Sequence, residues 1–287
     1  RKSKVLIILS TLGVYLMLFS LSPLLAAEKV IKIGITQIVD HPALNAVRDG
    51  FIDEMTELGY VLDKDIVYDL QNAQGDMATA NTIAQKFVSG GVDLILSIAT
   101  PTSQAAVNAT TTIPIVFSAV TDPLIAGLVK NLESSGNNVT GISDLTPVKK
   151  QFELIKEILP EAKAVGTIYN SAESNSVSLN ELAKEACADL GLKLIEATVA
   201  SSADVLLAAR SLVGKVDAIY ISTDNATVSA LDAVVQVTHE NKIPLILADP
   251  TTLNKGALVA LGFDYYQHGQ QTAPIVIEIL EGAKPTD

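Results

Sequence analysis

Residues 92–104 read VDLILSIATPTSQ, and this stretch decides the fold. An acidic lead-in precedes the apolar run Leu94, Ile95 and Leu96. Small and hydroxyl residues follow, and Pro101 stands where the first turn of a helix tolerates a missing N–H. The pattern predicts a strand that ends in a loop and passes straight into a helix. The free backbone N–H groups of such a helix start, with the hydroxyls of Ser97, Thr100, Thr102 and Ser103, suit a carboxylate or another anion. Ser and Thr also cap helices with no ligand present.

The pattern occurs twice. Residues 216–225 read VDAIYISTDN, again Val-Asp, an apolar run and a Ser/Thr/Asp turn, before the helical stretch ATVSALDAVVQV. Each copy continues to a second apolar strand, IPIVF from Ile113 and IPLIL from Ile243, and these end in Thr121-Asp122-Pro123 and Asp249-Pro250. A repeat of this length is no solenoid period; it predicts two lobes of like topology with a cleft between them.

A chain of 287 residues with 48% hydrophobic content can bury two ordinary cores. Its net charge of −12, with no basic stripe in the body of the chain, argues against a nucleic-acid partner. The N-terminus is separate in character. Arg1, Lys2 and Lys4 precede an apolar run, Pro23 breaks it, and Ala26-Ala27 lead into Glu28-Lys29, the layout of a secretory signal peptide over residues 1–27. Leu25, two before Ala27, departs from the small-residue rule. Removal of that leader takes the charge from −12 to −15. The run is also long enough to span a bilayer as an uncleaved anchor. The single cysteine, Cys187, lies in a helical stretch and reads as a small core residue.

Taken in order, residues 30–36 alternate as a first strand, a polar loop reaches Pro42, and Leu44, Val47, Phe51, Met55 and Leu58 recur at helical spacing. Strands are expected at 66–70, 115–118, 139–142, 164–169, 192–197 and 256–263. Helices are expected at 78–89, 148–159 and 203–212, with a last one at 265–280 whose Pro274 should sit near a bend or an N-terminal turn. The polar run 170–176 reads as a long strand-end loop. Alternation of this kind implies an α/β fold of parallel sheets covered by helices.

The segments GITQIVDHPALNAVRDGF, YDLQNAQGD, DLILSIATP, PIVFSAVTDP, NVTGISDLTPV, DAIYISTDN and ALGFDYYQHG together resemble the periplasmic substrate-binding proteins of ABC transporters, across nearly all of the chain after residue 30. The resemblance implies the type I periplasmic-binding-protein fold, two Rossmann-like lobes joined by a hinge. It places lobe 1 at 28–143 plus 263–287 and lobe 2 at 144–262, with crossings near Asp144 and Phe263 and a third, left open, at the C-terminus. It further implies a small amino acid-like ligand, and specifically an aromatic L-amino acid, because several members of this branch bind tryptophan, phenylalanine or tyrosine. The partners it implies are that ligand and the membrane subunits of an ABC permease, with the protein acting as a periplasmic or otherwise extracytoplasmic monomer and needing no cofactor.

An α-amino acid needs donors for its carboxylate and acceptors for its ammonium. Thr100 with nearby N–H groups, and Thr121, are the expected carboxylate donors, and Asp224 and Asp249 the expected ammonium acceptors. Asn170, Asn175 and Ser176 would complete a polar cage from the second lobe. His41, beside Pro42, either stacks on the ligand or caps the following helix. Gln37 and Asp122 are placed by their position at strand ends. His239 and His268 read as surface residues of helices, and Tyr265 and Tyr266 as core or hinge packing.

Nothing in the sequence assembles a reacting constellation or a metal site: GxSxG, HExxH, CxxC and a phosphate loop are all missing, and no GxGxxG follows the first strand. A carrier is therefore expected, not an enzyme. The alternative is a ligand-sensing domain of the same fold held at the membrane by an uncleaved anchor.

Overall fold

In the computed structural model the two copies fold into two parallel sheets of the same winding. The structure describes residues 29–286, so the signal-peptide expectation for residues 1–27 lies outside the described residues. The first sheet holds β1 (Ile31–Gln37), β2 (Ile66–Asn72), β3 (Leu94–Ile98), β4 (Ile115–Val120) and β5 (Val139–Ser143), in the order β2-β1-β3-β4-β5. The second holds β6 (Ala164–Asn170), β7 (Lys193–Val199), β8 (Ala218–Ile221), β9 (Leu245–Leu247) and β10 (Val259–Ala260), in the order β10-β9-β8-β6-β7. Counted from its own first strand, each sheet reads 2-1-3-4-5. In that order the winding reverses between the first and third strands, and the crevice at their C-terminal ends is where such sheets bind ligands.

The helices are α1 (Pro42–Glu57), α2 (Met77–Gly90), α3 (Thr100–Ala109), α4 (Val148–Ile158), α5 (Ser174–Asp189), α6 (Val205–Leu212), α7 (Asn225–Ser229), α8 (Leu231–Asn241) and α9 (Tyr265–Leu280). Every residue of β3 and β4 is buried, as continuous apolar runs in a sheet covered on both faces should be. The repeated Val-Asp pairs have a shared job. Asp93 Oδ2 accepts the Lys32 N–H at 2.9 Å, and Asp217 Oδ2 accepts those of Lys163 and Ala164 at 2.7 and 2.9 Å, so each aspartate pins the start of its lobe's first strand.

The chain passes from the first sheet to the second after β5, and back after β10. α9 then packs on α1 and β4, and its Tyr265, Ala273 and Val276 join the core around Ile33, Leu96 and Phe117. The approach of α1 and α9 is possible only because both are notched by glycine. A Cβ on Gly50 would stand 2.1 Å from the Tyr266 carbonyl oxygen, and one on Gly269 would stand 2.0 Å from that of Val47.

Several elements differ from expectation for local reasons. The strand expected over 256–263 shrinks to Val259–Ala260, because Gly256 turns at φ 128° and the residues after Ala260 leave the sheet for the crossing. The helix expected over 226–237 is broken at Ala230 (φ −112°, ψ 25°) into α7 and α8. The run 170–176 is no long loop, since α5 starts at Ser174. Pro274 lies well inside α9 and not at its first turn; it sits on the exposed face, where water can serve the carbonyl its missing N–H leaves free. His268 is buried, as its partners below explain. Among the described residues no helix is long and apolar enough to cross a membrane.

Gly269→Ala should force α1 and α9 apart. Chemical denaturation is expected to show a loss of about 1–3 kcal/mol, whereas the same change at Gly90, which has open space around it and no left-handed backbone, should not.

Candidate functional site

The loops after the first and third strands of both sheets converge on one cavity, as the shared winding requires. From lobe 1 it is lined by His41, Ala43 and Leu44 after β1, Thr100 after β3, and Ala119 and Thr121 at the end of β4. Lobe 2 supplies Asn175 after β6, Thr223, Asn225 and Val228 after β8, and Asp249 after β9. Asp144 and Tyr265, from the two crossings, complete the lining. The space is narrow, with about 360 Å³ of empty volume that includes its opening to solvent.

The lining is polar and incompletely partnered. His41 Nδ1, Thr100 Oγ1, Asn175 Oδ1, Thr223 Oγ1 and Asp249 Oδ2 are each buried without a hydrogen-bond partner in the protein. Buried polar atoms are normally paired, because desolvating one without a partner costs about 1–3 kcal/mol. Five such atoms around one cavity are the mark of a polar ligand's contacts.

Two carboxylates dominate the electrostatics. Asp144 is 4% exposed; its Oδ2 accepts the Tyr265 hydroxyl at 2.9 Å and its Oδ1 that of Thr121 at 3.3 Å. Asp249, equally buried, accepts the Thr251 N–H with Oδ1 at 2.8 Å and leaves Oδ2 facing the cavity. Burial raises the pKa of both, and the charge of Asp144 adds to the rise at Asp249. A cation between them would relieve both effects. His268 is not that cation. Its Nε2 accepts the Ala119 N–H at 3.1 Å, so the ring is neutral, and burial pulls its pKa down. That contact holds Ala119 at φ 54° on the cavity wall, a left-handed conformation that an alanine adopts only when its surroundings impose it.

A second group of polar side chains lies toward the cleft mouth. Glu173 accepts from Asn225 Nδ2 at 2.5 Å and Asn170 Nδ2 at 3.2 Å, and lines an adjoining cavity with Asn170 and Asn225. Burial first, then the charge of Asp224, pushes its carboxyl up to about 7. Burial pulls His41 the other way, to about 4, so its ring is neutral at physiological pH. The lobes also touch through Gln104, whose Nε2 bonds the Ala126 carbonyl at 3.1 Å and Ser174 Oγ at 3.4 Å.

With this geometry in view, comparison with known families is decisive. The family described as ABC transporter substrate binding protein matches residues 32–287. The chain belongs to that family. Substrate-binding proteins of ABC transporters are extracytoplasmic and serve a membrane permease. A tyrosine-binding protein of Clostridioides difficile is 44% identical over 265 residues, covering 91% of this chain and 76% of that protein. A Streptococcus pneumonia ABC domain solved in complex with L-Trp is 35% identical, at a TM-score of 0.87 over 90% of this chain and 88% of that one. A ligand-free, open substrate-binding protein from Clostridium difficile is 44% identical with the same coverage, yet its TM-score is 0.67. This chain thus superposes more closely on the tryptophan complex than on the open structure. More distant solute-binding proteins, 16 to 19% identical, share the type I fold.

Of the residues singled out in the sequence, His41, Thr100, Thr121, Asn175 and Asp249 line the cavity. The others stand elsewhere. Asp224 is fully buried and spent internally: Oδ1 accepts the Thr227 N–H at 2.7 Å, and Oδ2 accepts the Asn170 N–H and Ser176 Oγ–H, each at 2.6 Å. Ser176 is therefore occupied as its donor. Asn170 borders the adjoining cavity, bonded to Glu173. Gln37 donates to the Val39 carbonyl at 2.8 Å and Asn45 Oδ1 at 2.7 Å, and Asp122 accepts the Leu124 and Ile125 N–H groups at 2.9 Å. Sequence reasoning missed Asp144 as a lining group, along with Thr223, Asn225 and Tyr265. The signal for Asn225 was present: it follows the second Val-Asp strand as Thr100 follows the first.

Asp224→Ala should act on stability. Loss of a helix cap and of two further bonds to one buried carboxylate predicts about 2–4 kcal/mol, read by thermal or chemical unfolding. Glu173 gives a pH signature. Its folded pKa of about 7 lies above the ordinary 4.5, so the folded chain holds a proton that the unfolded chain has lost between those values. The stability of the chain minus that of Glu173→Gln should therefore rise as pH falls from 8 toward 4.5. The difference removes His41 and His268, whose lowered values act in the opposite sense below pH 6.5.

Proposed function

We propose that this protein binds an aromatic L-amino acid between its lobes and hands it, unchanged, to an ABC permease. The observation that carries the reading is the pair of buried, mutually repelling carboxylates, Asp144 and Asp249, facing one cavity with Tyr265 beside them. An α-ammonium is the cation that fits them: compact, charged, and able to donate to both. The names of the relatives support the ligand class, since one is called tyrosine-binding and another was solved with L-Trp.

The remaining contacts follow from the chemistry. The unpartnered hydroxyl of Thr100, in the first turn of α3, serves the carboxylate, helped by the positive end of the helix dipole. Asn175, in the first turn of α5, presents its unpartnered Oδ1 from the second lobe, an acceptor for the ammonium. Ala43, Leu44, Ala119 and Val228 supply apolar walls for a ring. Contacts come from both lobes and from both crossings, so they are all made only when the lobes are together. Ligand binding therefore selects the closed arrangement, and the closed pair of lobes is what the permease would recognise. The layout of residues 1–27 supports delivery by export with removal of a signal peptide, and the carrier acts as a monomer.

A thermal-shift screen against amino acids, sugars and nucleosides is expected to single out tyrosine, tryptophan or phenylalanine. At about a hundred times the dissociation constant the gain is about 2.7 kcal/mol, a shift of a few degrees. Asp249→Asn keeps an oxygen for the Thr251 N–H but removes the charge. It should unfold like the parent and bind tyrosine more weakly by about 2–4 kcal/mol in calorimetry. Stabilisation by a sugar alone, or unchanged tyrosine binding by the variant, would refute the reading.

A further inference from the structure

Four hydroxyls lie at the end of β3 and the start of α3, and the structure gives them two different jobs. Thr100 Oγ1 belongs to a residue 2% exposed, has no partner and faces the cavity. Ser97, Thr102 and Ser103 are fully buried and bonded within the turn that carries it. Thr102 Oγ1 donates to the Ile98 carbonyl at 2.7 Å and lies 3.1 Å from that of Ala99. Ser103 Oγ donates to the Ala99 carbonyl at 2.9 Å and stands 2.8 Å from Ser97 Oγ.

The residue they surround is strained. Ala99 has φ 82° and ψ 156°, a region of backbone space that is essentially glycine's alone and that another residue keeps only where its surroundings impose it. Both peptide planes beside Ala99 are held. The plane before it is fixed at its C=O end by Thr102 and at its N–H end by the Ser118 carbonyl, 3.0 Å away. The plane after it is fixed by Ser103, through the hydroxyl and through the Ser103 N–H at 3.2 Å. Rotating the first plane would return φ to negative values, and the Thr102 bond opposes that rotation. The second lobe supplies the contrast. There α7 starts from Asp224, whose backbone is ordinary at φ −87° and whose carboxylate caps the helix through the Thr227 N–H. α3 starts from an alanine, so its first turn receives no side-chain cap, and the unpartnered Thr100 hydroxyl stands beside it.

We propose that Thr102 and Ser103 are positioning residues for the ligand's carboxylate: their hydroxyls hold Ala99 against its own backbone preference and so aim Thr100 and the uncapped start of α3 into the cavity. This assignment rests on the amino-acid reading above, in which Thr100 serves the carboxylate, and adds the device that orients it. Without the two hydroxyls the turn relaxes, and a ligand binds only the fraction of molecules that still hold it.

The test is calorimetric titration with tyrosine of the parent, Thr102→Val, Ala99→Gly and the double variant Ala99→Gly/Thr102→Val, each shown by thermal unfolding to be folded at the titration temperature. Valine keeps the shape of threonine and loses the hydroxyl. Thr102→Val should bind tyrosine roughly 5- to 150-fold more weakly, the range set by release of one strained residue. Glycine adopts a positive φ unaided. Ala99→Gly should therefore bind as the parent does, and the double variant should recover most of the loss. A merely structural role for the hydroxyl would lower the unfolding temperature without that recovery. Ser103→Ala, with and without Ala99→Gly, repeats the comparison where Thr102→Val does not fold. Unchanged affinity on loss of the hydroxyl, or a loss that glycine fails to recover, would overturn the proposal. Failure of the parent to bind tyrosine, tryptophan or phenylalanine would instead overturn the amino-acid reading, and this proposal with it.

Discussion

Two carboxylates share a cavity from which water is largely excluded, and the rest of the site is arranged around that constraint. Asp144 and Asp249 are each 4% exposed, and each would be easier to bury as a neutral acid. The protein offsets part of the cost at Asp144 with the hydroxyls of Tyr265 and Thr121. At Asp249 only one oxygen is served, by a backbone N–H. What the protein leaves unbalanced, the ammonium of the proposed amino acid ligand would balance. The same Asp144–Tyr265 bond joins the residue that follows the first crossing to the one that follows the second, so the charge site and the hinge are one structure.

The winding of the sheets explains why so many lining residues come from so few loops. Each lobe reverses its strand order between its first and third strands, and the cavity draws on the loops after β1 and β3 in one lobe and after β6 and β8 in the other. Lobe 1 contributes His41 and Thr100 at these positions, and lobe 2 contributes Asn175 and Asn225. The repeat is thus functional as well as architectural: each half supplies helix starts and short polar side chains, and neither half alone encloses a ligand.

Much of this was legible in the chain. The two Val-Asp strands announced the repeat, and their aspartates prove to pin the first strand of each lobe. Strand-end position together with the needs of an amino acid ligand pointed to His41, Thr100, Thr121, Asn175 and Asp249, which do line the cavity, whereas strand-end position alone pointed to Gln37 and Asp122, which do not. Other residues were not legible, because composition does not show which atoms a side chain spends at home. Asp224 and Asp249 look alike as turn aspartates. In space Asp224 gives both oxygens to its own lobe, and Asp249 keeps one for the cavity. Asp144 read as a crossing residue because only tertiary structure brings Tyr265 to it over 121 positions. His268 lies on a helix whose spacing suited a surface site, yet the helix face it occupies packs under β4, where Ala119 needs an acceptor for its N–H.

The account turns on the ammonium. The measurement that tests it most directly is a calorimetric comparison of tyrosine with its desamino analogue, 3-(4-hydroxyphenyl)propionate, which keeps the ring, the hydroxyl and the carboxylate but lacks the positive charge. Loss of the cation from between two buried carboxylates predicts that tyrosine binds and the analogue does not at any practical concentration. Comparable binding of the two would contradict the account, for the carboxylates would then have no part in holding the ligand.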